Sequence, residues 1–380
     1  MTIAIIISNT RDPNSGTASV SLNLAEKFRI RGKVCELIFK EDILQNMDGI
    51  LKQILFALVL PFRKALTSHD VLDINVGDGF FVAFVFRRIK SLRHPLLIAR
   101  SHGLEHVVHE MNLAEARSNK MKLSWKYPFY HGGYRLWQVK KYLQSADLAF
   151  FLNSYDRDYA VTRLGVDVSR AKIVDNGLPD MFIGRSFDPA IPRQIKIALI
   201  GTFIKRKGIE YSIPALNVLL EKNANLSVGF FGPKVPAEEI LERFGPAVQD
   251  RVEVKEQYPH DGLPALLEPY RIFLFASLAE GFGLAALEAM ACGLALVITD
   301  ISGVAERLTH DVNAVIIPPR DQQAIQDAIQ RLIDDHEFLV RIRNAGYILA
   351  QNFSWTRVAN DTLLLYEEGM KRRSREVLKC

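Results

Sequence analysis

The chain has 380 residues, 48% hydrophobic and 24% charged, which suffices for two or three ordinary domains or one large α/β domain. Three widely separated cysteines (Cys35, Cys292 and Cys380) exclude a disulfide-rich scaffold and speak against a structural zinc module; 16 prolines and 23 glycines exclude collagen-like or long disordered stretches. The net charge of +5 is uneven: residues 1–180 hold 25 Lys/Arg against 18 Asp/Glu, and 87–141 alone hold 12 against 3.

The apolar run Thr2–Ser8 has no basic leader and is halted by Asn9, Thr10, Arg11 and Asp12, so it reads as a buried first strand and not as a signal peptide. Val34–Phe39, Val71–Val76, Leu96–Ser101, Leu148–Leu152 and Lys172–Val174 predict further strands. Helices are predicted over 17–30, 49–66, 130–144 and 156–163, and this alternation marks βα units around a parallel sheet. Segment 107–128 is polar, basic and irregular in period, and reads as a helix-containing excursion. Ile54–Pro61 is apolar but too short to span a bilayer.

After Asn176-Gly-Leu-Pro-Asp180 the pattern restarts. Gly184, Pro189 and Pro192 make 181–194 read as a linker. New strands follow at Ile195–Gly201, Leu226–Phe231, Val252–Lys255, Ile272–Phe275, Ala295–Thr299 and Ala314–Ile317. Helices are predicted at 207–221, 236–244, 284–292, 321–333 and 336–350, with a last one at 355–373. The expected organisation is one doubly wound domain over 1–180, a linker over 181–194, a second such domain over 195–353, and a closing helix within 354–380.

Ligands of doubly wound sheets bind at the carboxyl ends of the strands, and the unusual residues fall there. Gly16, with Thr17 and Ser19, follows the first strand and either brings amides near an anion or makes an ordinary tight turn. His102, in Ser101-His-Gly103, follows the fourth strand and is expected in a cleft. The histidines at 94, 102, 106 and 109 show no zinc spacing, and Asp156-Arg-Asp158 reads as a capped helix start and not as a metal site. In Gly201-Thr-Phe-Ile-Lys-Arg-Lys-Gly208, three basic residues crowd a helix start and are costly there unless an anion such as a diphosphate neutralises them. Ser277–Gly293 is the sharpest segment: Glu280 and Glu288 bracket a turn with Gly281 and Gly283, and Glu288 stands on an otherwise apolar helix. A buried carboxylate there needs partners, and vicinal ribose hydroxyls would serve. Gly303 and Val304 mark another strand-to-helix turn, with Glu306 as a supporting group.

These motifs, in this order and spacing, resemble the retaining glycosyltransferases of family 4, most strongly over 173–351. The resemblance implies a GT-B fold, α/β with two Rossmann-like doubly wound domains facing across a cleft, the first binding the acceptor and the second the nucleotide sugar. It implies a sugar moved from a nucleotide diphosphate sugar to an acceptor hydroxyl with retained configuration and without a required metal or other cofactor. Lys207 would neutralise the diphosphate, Glu288 would hold the ribose, and Glu280 and His102 would contact the transferred sugar. Backbone at Gly281, Phe282, Gly283 and Leu284 would touch sugar and phosphate. Gly201, Thr202 and Arg206 would complete the donor site; Thr202 stands where many members have Arg, so Lys205 or Arg206 would supply that clamp or leave it missing. A nucleotide-sugar epimerase of the same fold, or an inactive sugar-nucleotide-binding scaffold, is the alternative.

The basic, aromatic 87–141 stretch reads either as a face for anionic lipid or an anionic acceptor, or as a solvated surface over packed rings. The expected acceptor is a saccharide or a lipid-linked saccharide, in polysaccharide or glycolipid synthesis. A cytoplasmic enzyme resting on the inner face of the plasma membrane fits this. No nucleic-acid-binding module accompanies the charge, so nucleic acid is not an expected partner.

Overall fold

The computed structural model describes residues 1–8, 11, 16–44, 49–89, 94–117, 123–301 and 303–377. The chain divides into two units, Met1–Asn176 with Trp355–Cys380, and Gly177–Ser354.

The first unit runs β1 (Thr2–Ile7), α1 (Gly16–Ile30), β2 (Val34–Phe39), α2 (Gly49–Val59), β3 (Val71–Asn75), α3 (Phe80–Arg88), β4 (Leu96–Arg100), α4 (Glu105–Arg117), α5 (Leu136–Ser145), β5 (Leu148–Phe151), α6 (Ser154–Leu164) and β6 (Ala171–Ile173). All strand pairings are parallel, in the order β2-β1-β3-β4-β5-β6. Helices cover both faces, so strands such as Ile3–Ile7 and Leu96–Arg100 are buried throughout and carry continuous apolar runs in place of alternation.

Four local features differ from the sequence expectation. Phe80–Arg88 forms a helix outside the predicted set, because Phe-Phe-Val-Ala-Phe-Val-Phe lacks a clear helical period and favours strand. The helix expected over 49–66 ends at Val59 and continues as short 3-10 turns, the first containing Pro61. Tyr130–Arg135 opens the 130–144 segment as a π turn holding Gly132 and Gly133. In 107–128 the helix begins earlier, at Glu105; residues 118–122 lie outside the described residues.

The second unit runs β7 (Ile195–Ile200), α7 (Ile209–Lys222), β8 (Leu226–Phe231), α8 (Ala237–Leu241), β9 (Val252–Lys255), α9 (Leu263–Leu267), β10 (Ile272–Phe275), α10 (Leu284–Ala291), β11 (Ala295–Thr299), β12 (Val315–Ile317), α11 (Gln322–Asp334) and α12 (His336–Gln351). Its parallel order is β12-β11-β10-β7-β8-β9. The strand order therefore reverses between β7 and β10, which pair directly. The segment 181–194 is part of this unit: Arg343 of α12 donates to the carbonyls of Asp188 and Pro189, and Arg271 to that of Ala190.

The closing helix, α13 (Trp355–Val377), belongs to the first unit and packs on α1 and β4. A buried polar knot fastens it. Arg100 reaches the Asp73 carboxylate at 2.6 Å, the Tyr366 hydroxyl donates to the same carboxylate, and the Tyr366 ring stacks on Phe150 at 6.1 Å. Among the described residues no helix is long and apolar enough to cross a membrane.

Candidate active site

The loops after β7 and β10 lie side by side because those strands are neighbours, at the point of strand-order reversal where doubly wound sheets bind ligands. After β7 the chain passes Gly201 and Thr202 into a 3-10 turn at Lys205–Lys207, then starts α7. Gly208 between them is in the left-handed region (φ +74°), and a Cβ there would stand 1.9 Å from the Ala276 carbonyl oxygen. Only glycine allows the two loops to approach so closely.

The loops are also stitched together. The Leu278 amide donates to the Arg206 carbonyl at 2.8 Å, and the Arg206 guanidinium donates to the Ala279 carbonyl at 3.1 Å. Lys207 Nζ lies 2.5 Å from Glu280 Oε1 and 5.2 Å from the centre of the Phe275 ring. Ser277 Oγ donates to the same Glu280 oxygen at 2.8 Å. Lys205 pairs with Glu210 at 3.2 Å. The three basic residues thus find partners within the protein, and a diphosphate would exchange with or add to them.

The turn after Glu280 delivers Gly283, with φ +94°, to the start of α10, whose first amides have no carbonyl one turn back within the helix. The Phe282 carbonyl accepts from the Val304 amide, and its ring is buried beside Phe353. One turn into α10, Glu288 is only 7% exposed. Its Oε1 faces His260 Nε2 at 2.9 Å, so a side chain already provides the partner that the sequence argument assigned to a ribose. That hydrogen bond, opposed by burial, raises the His260 pKa. The phenol of Tyr258 is pushed up by burial and then by the Glu288 charge.

Residues 186–348 match the family described as "Glycosyl transferases group 1". The chain is 31% identical over 245 residues to a phosphatidylinositol N-acetylglucosaminyltransferase component from Arabidopsis thaliana, a match covering 62% of this chain and 53% of that one. The chain therefore spans about half the length of that relative. Sucrose-phosphate synthase from Thermosynechococcus elongatus superposes with a TM-score of 0.76 at 19% identity, over 97% of this chain and 98% of that one. HepE of Anabaena, in complex with UDP, superposes with a TM-score of 0.70 at 16% identity, over 97% and 100%.

The fold is GT-B.

Within this GT-B chain the sequence-predicted residues divide between the units. Gly201, Thr202, Arg206, Lys207, Gly281, Phe282, Gly283, Leu284, Glu280 and Glu288 belong to the second; Gly16 and His102 belong to the first. Gly16 opens α1, while Asn9, Thr10 and 12–15 of the turn before it lie outside the described residues. His102 follows β4 in a loop held by the Ser101 amide on the Phe150 carbonyl and by the Leu104 amide on Asp156 at 2.9 Å. Burial, reinforced by the Arg100 charge and opposed by Asp73, pushes the His102 imidazole down to about 4, so it is neutral at pH 7. Asp156 is buried, its amide capped by Asn153 at 2.7 Å. Among the described residues no group of three or more His, Cys, Asp or Glu side chains could hold a metal ion.

Motif reading passed over His260. Its signal was present in Tyr258-Pro-His-Asp-Gly262, a loop directly after β9 and hence at a strand carboxyl end. It shows neither of the features that drew notice elsewhere, a carboxylate on an apolar helix or a basic cluster at a helix start.

Proposed function

We propose that the protein is a retaining glycosyltransferase that moves a sugar from a nucleotide diphosphate sugar to the hydroxyl of a saccharide or lipid-linked acceptor, in polysaccharide or glycolipid synthesis. The reading rests above all on one observation: Lys207, Glu280 and the start of α10 gather where the second sheet reverses its order. A diphosphate bound there takes up the Lys207 charge and meets the amide end of α10. The same groups stabilise the negative charge that grows on the diphosphate as the sugar leaves. Glu280, oriented by Ser277, accepts hydrogen bonds from sugar hydroxyls, and Glu288, oriented by His260, does so from the ribose. His102 serves the sugar as a neutral imidazole, able to donate from one nitrogen and accept at the other. None of these roles calls for a metal ion.

The UDP complex of HepE supports uridine as the first base to try. A cytoplasmic location is part of the proposal, supported by the buried, unpaired thiols of Cys35 and Cys292. Calorimetric titration with UDP, GDP, ADP and NAD, without added metal, tests the reading. Binding of one nucleoside diphosphate, followed by its release from the matching nucleotide sugar only when an acceptor is supplied, is the expected result. Silence toward all three diphosphates would leave an inactive scaffold, and release without acceptor would favour the epimerase.

A further inference from the structure

The most exposed aromatic side chains of the first unit lie on neighbouring elements. Trp125 and Phe129 are 76% and 73% exposed, with ring centres 6.3 Å apart. The adjacent Tyr130 donates its hydroxyl to Gln53 of α2 at 2.7 Å. The turn that ends α2 carries Phe62, 76% exposed, and packs on α3, which carries exposed Phe84. From buried Tyr130 through Tyr134, Trp137 and Phe80 to Phe84, ring centres lie 6.2, 6.2, 4.6 and 6.0 Å apart in succession, so the two exposed ends stand on one aromatic cluster. A scattered surface aromatic needs no explanation, whereas highly exposed rings on neighbouring elements, seated on one aromatic cluster, point to a partner.

The charge around this set selects the partner. Arg88 lies over the Phe84 ring at 4.3 Å, Lys126 stands 5.5 Å from the Trp125 ring centre, and Arg63 follows Phe62. Glu105 and Glu110, the glutamates of 87–141 whose side chains are described, are engaged by Arg135 and by the Tyr159 hydroxyl. Cations and exposed rings therefore remain on offer. Aromatic rings settle at the headgroup level of a bilayer, and neighbouring Lys and Arg draw anionic headgroups.

We propose that this face docks on an anionic lipid bilayer, with Phe62, Trp125 and Phe129 entering the headgroup layer and Arg63, Arg88 and Lys126 meeting lipid phosphates. Docking goes beyond the donor chemistry of the second unit and stands whether or not that reading holds.

The test is sedimentation of the full chain with vesicles of phosphatidylcholine alone or mixed with phosphatidylglycerol, at low and high salt, with no nucleotide present. Binding to the phosphatidylglycerol vesicles that weakens with salt is expected. Each cation near a charged surface changes partition about fivefold, so a triple Arg63→Gln, Arg88→Gln, Lys126→Gln variant should bind roughly 100-fold more weakly. Brominated lipid should quench tryptophan fluorescence, and Trp125→Phe should remove most of that quenching, since Trp355 is buried and Trp137 is less exposed than Trp125. Equal binding to both vesicle types, or no binding to either, would overturn the proposal with the unaltered protein alone. So would fluorescence that responds to soluble oligosaccharide and not to vesicles, which would make the face a saccharide platform. Nucleoside diphosphate titration of the same samples reports on the second unit separately, so failure of docking and failure of the donor reading are told apart.

Discussion

Replacing His260 by alanine removes the donor that faces Glu288 and leaves a carboxylate that is only 7% exposed without its side-chain partner. A hydrogen bond to a charged group contributes about 1.5–3 kcal/mol. The imidazole is itself 38% exposed, so water takes over part of its role. About 1–2 kcal/mol of Glu288 positioning is then lost, which corresponds to nucleoside diphosphate binding weakened roughly 5- to 30-fold. Calorimetry with a ribose diphosphate and its 2′-deoxy counterpart checks this. The preference for the ribose form should shrink in His260→Ala and return in part in His260→Gln.

Stability carries a second signature of the pair. Because the His260 pKa is raised on folding, the charged pair stabilises the protein fully below the ordinary histidine value, and that part is lost as pH rises through the raised value. The Tm difference between the parent and His260→Ala should therefore be larger near pH 5.5 than near pH 9. Unchanged diphosphate binding in His260→Ala, with binding abolished in Glu288→Ala, would refute the positioning argument.

Lys207→Ala should weaken nucleoside diphosphate binding by about tenfold or more, by loss of a charge-assisted contact, and should lower turnover further; calorimetry and initial rates separate the two. His102→Ala should cut turnover while leaving diphosphate affinity within about twofold. Since burial holds the His102 imidazole down at about 4 in the free protein, the pH profile of kcat/KM should show no inflection from this group between pH 5.5 and 8. Asp73→Ala would leave the Arg100 charge buried beside Tyr366, at a cost of about 3–5 kcal/mol. Loosening of α13, read as faster proteolysis within 355–377, is the expected outcome, whereas Tyr366→Phe should cost about 1 kcal/mol.

Runs buried on both faces made the strands legible residue by residue, since parallel sheets covered by helices demand uninterrupted Ile, Leu, Val and Phe. Leu226–Phe231, Ile272–Phe275 and Ala295–Thr299 could be read to the residue on this ground; the edge strands Val34–Phe39 and Val252–Lys255, interrupted by Glu36, Glu253 and Lys255, were legible from their β-branched and apolar residues alone. The loops that follow strands were legible for the same reason, and with them Lys207, Glu280 and Glu288 as candidates. Phe80–Arg88 was not: an all-apolar aromatic run has no readable period, and its helical state comes from packing on α5 and the turn after α2.

What tertiary structure alone decided is who meets whom. Lys207 and Glu280 are 73 residues apart and touch because β10 inserts beside β7, a pairing set by the packing of whole βα units and not by any local pattern. The same holds for Glu288 and His260. Sequence showed that Glu288, on an apolar helix, needs a partner, because burial of charge is costly wherever it occurs. Strand order supplied the partners, because hydrogen bonds reach only about 3 Å and the nearest donor is a property of the fold.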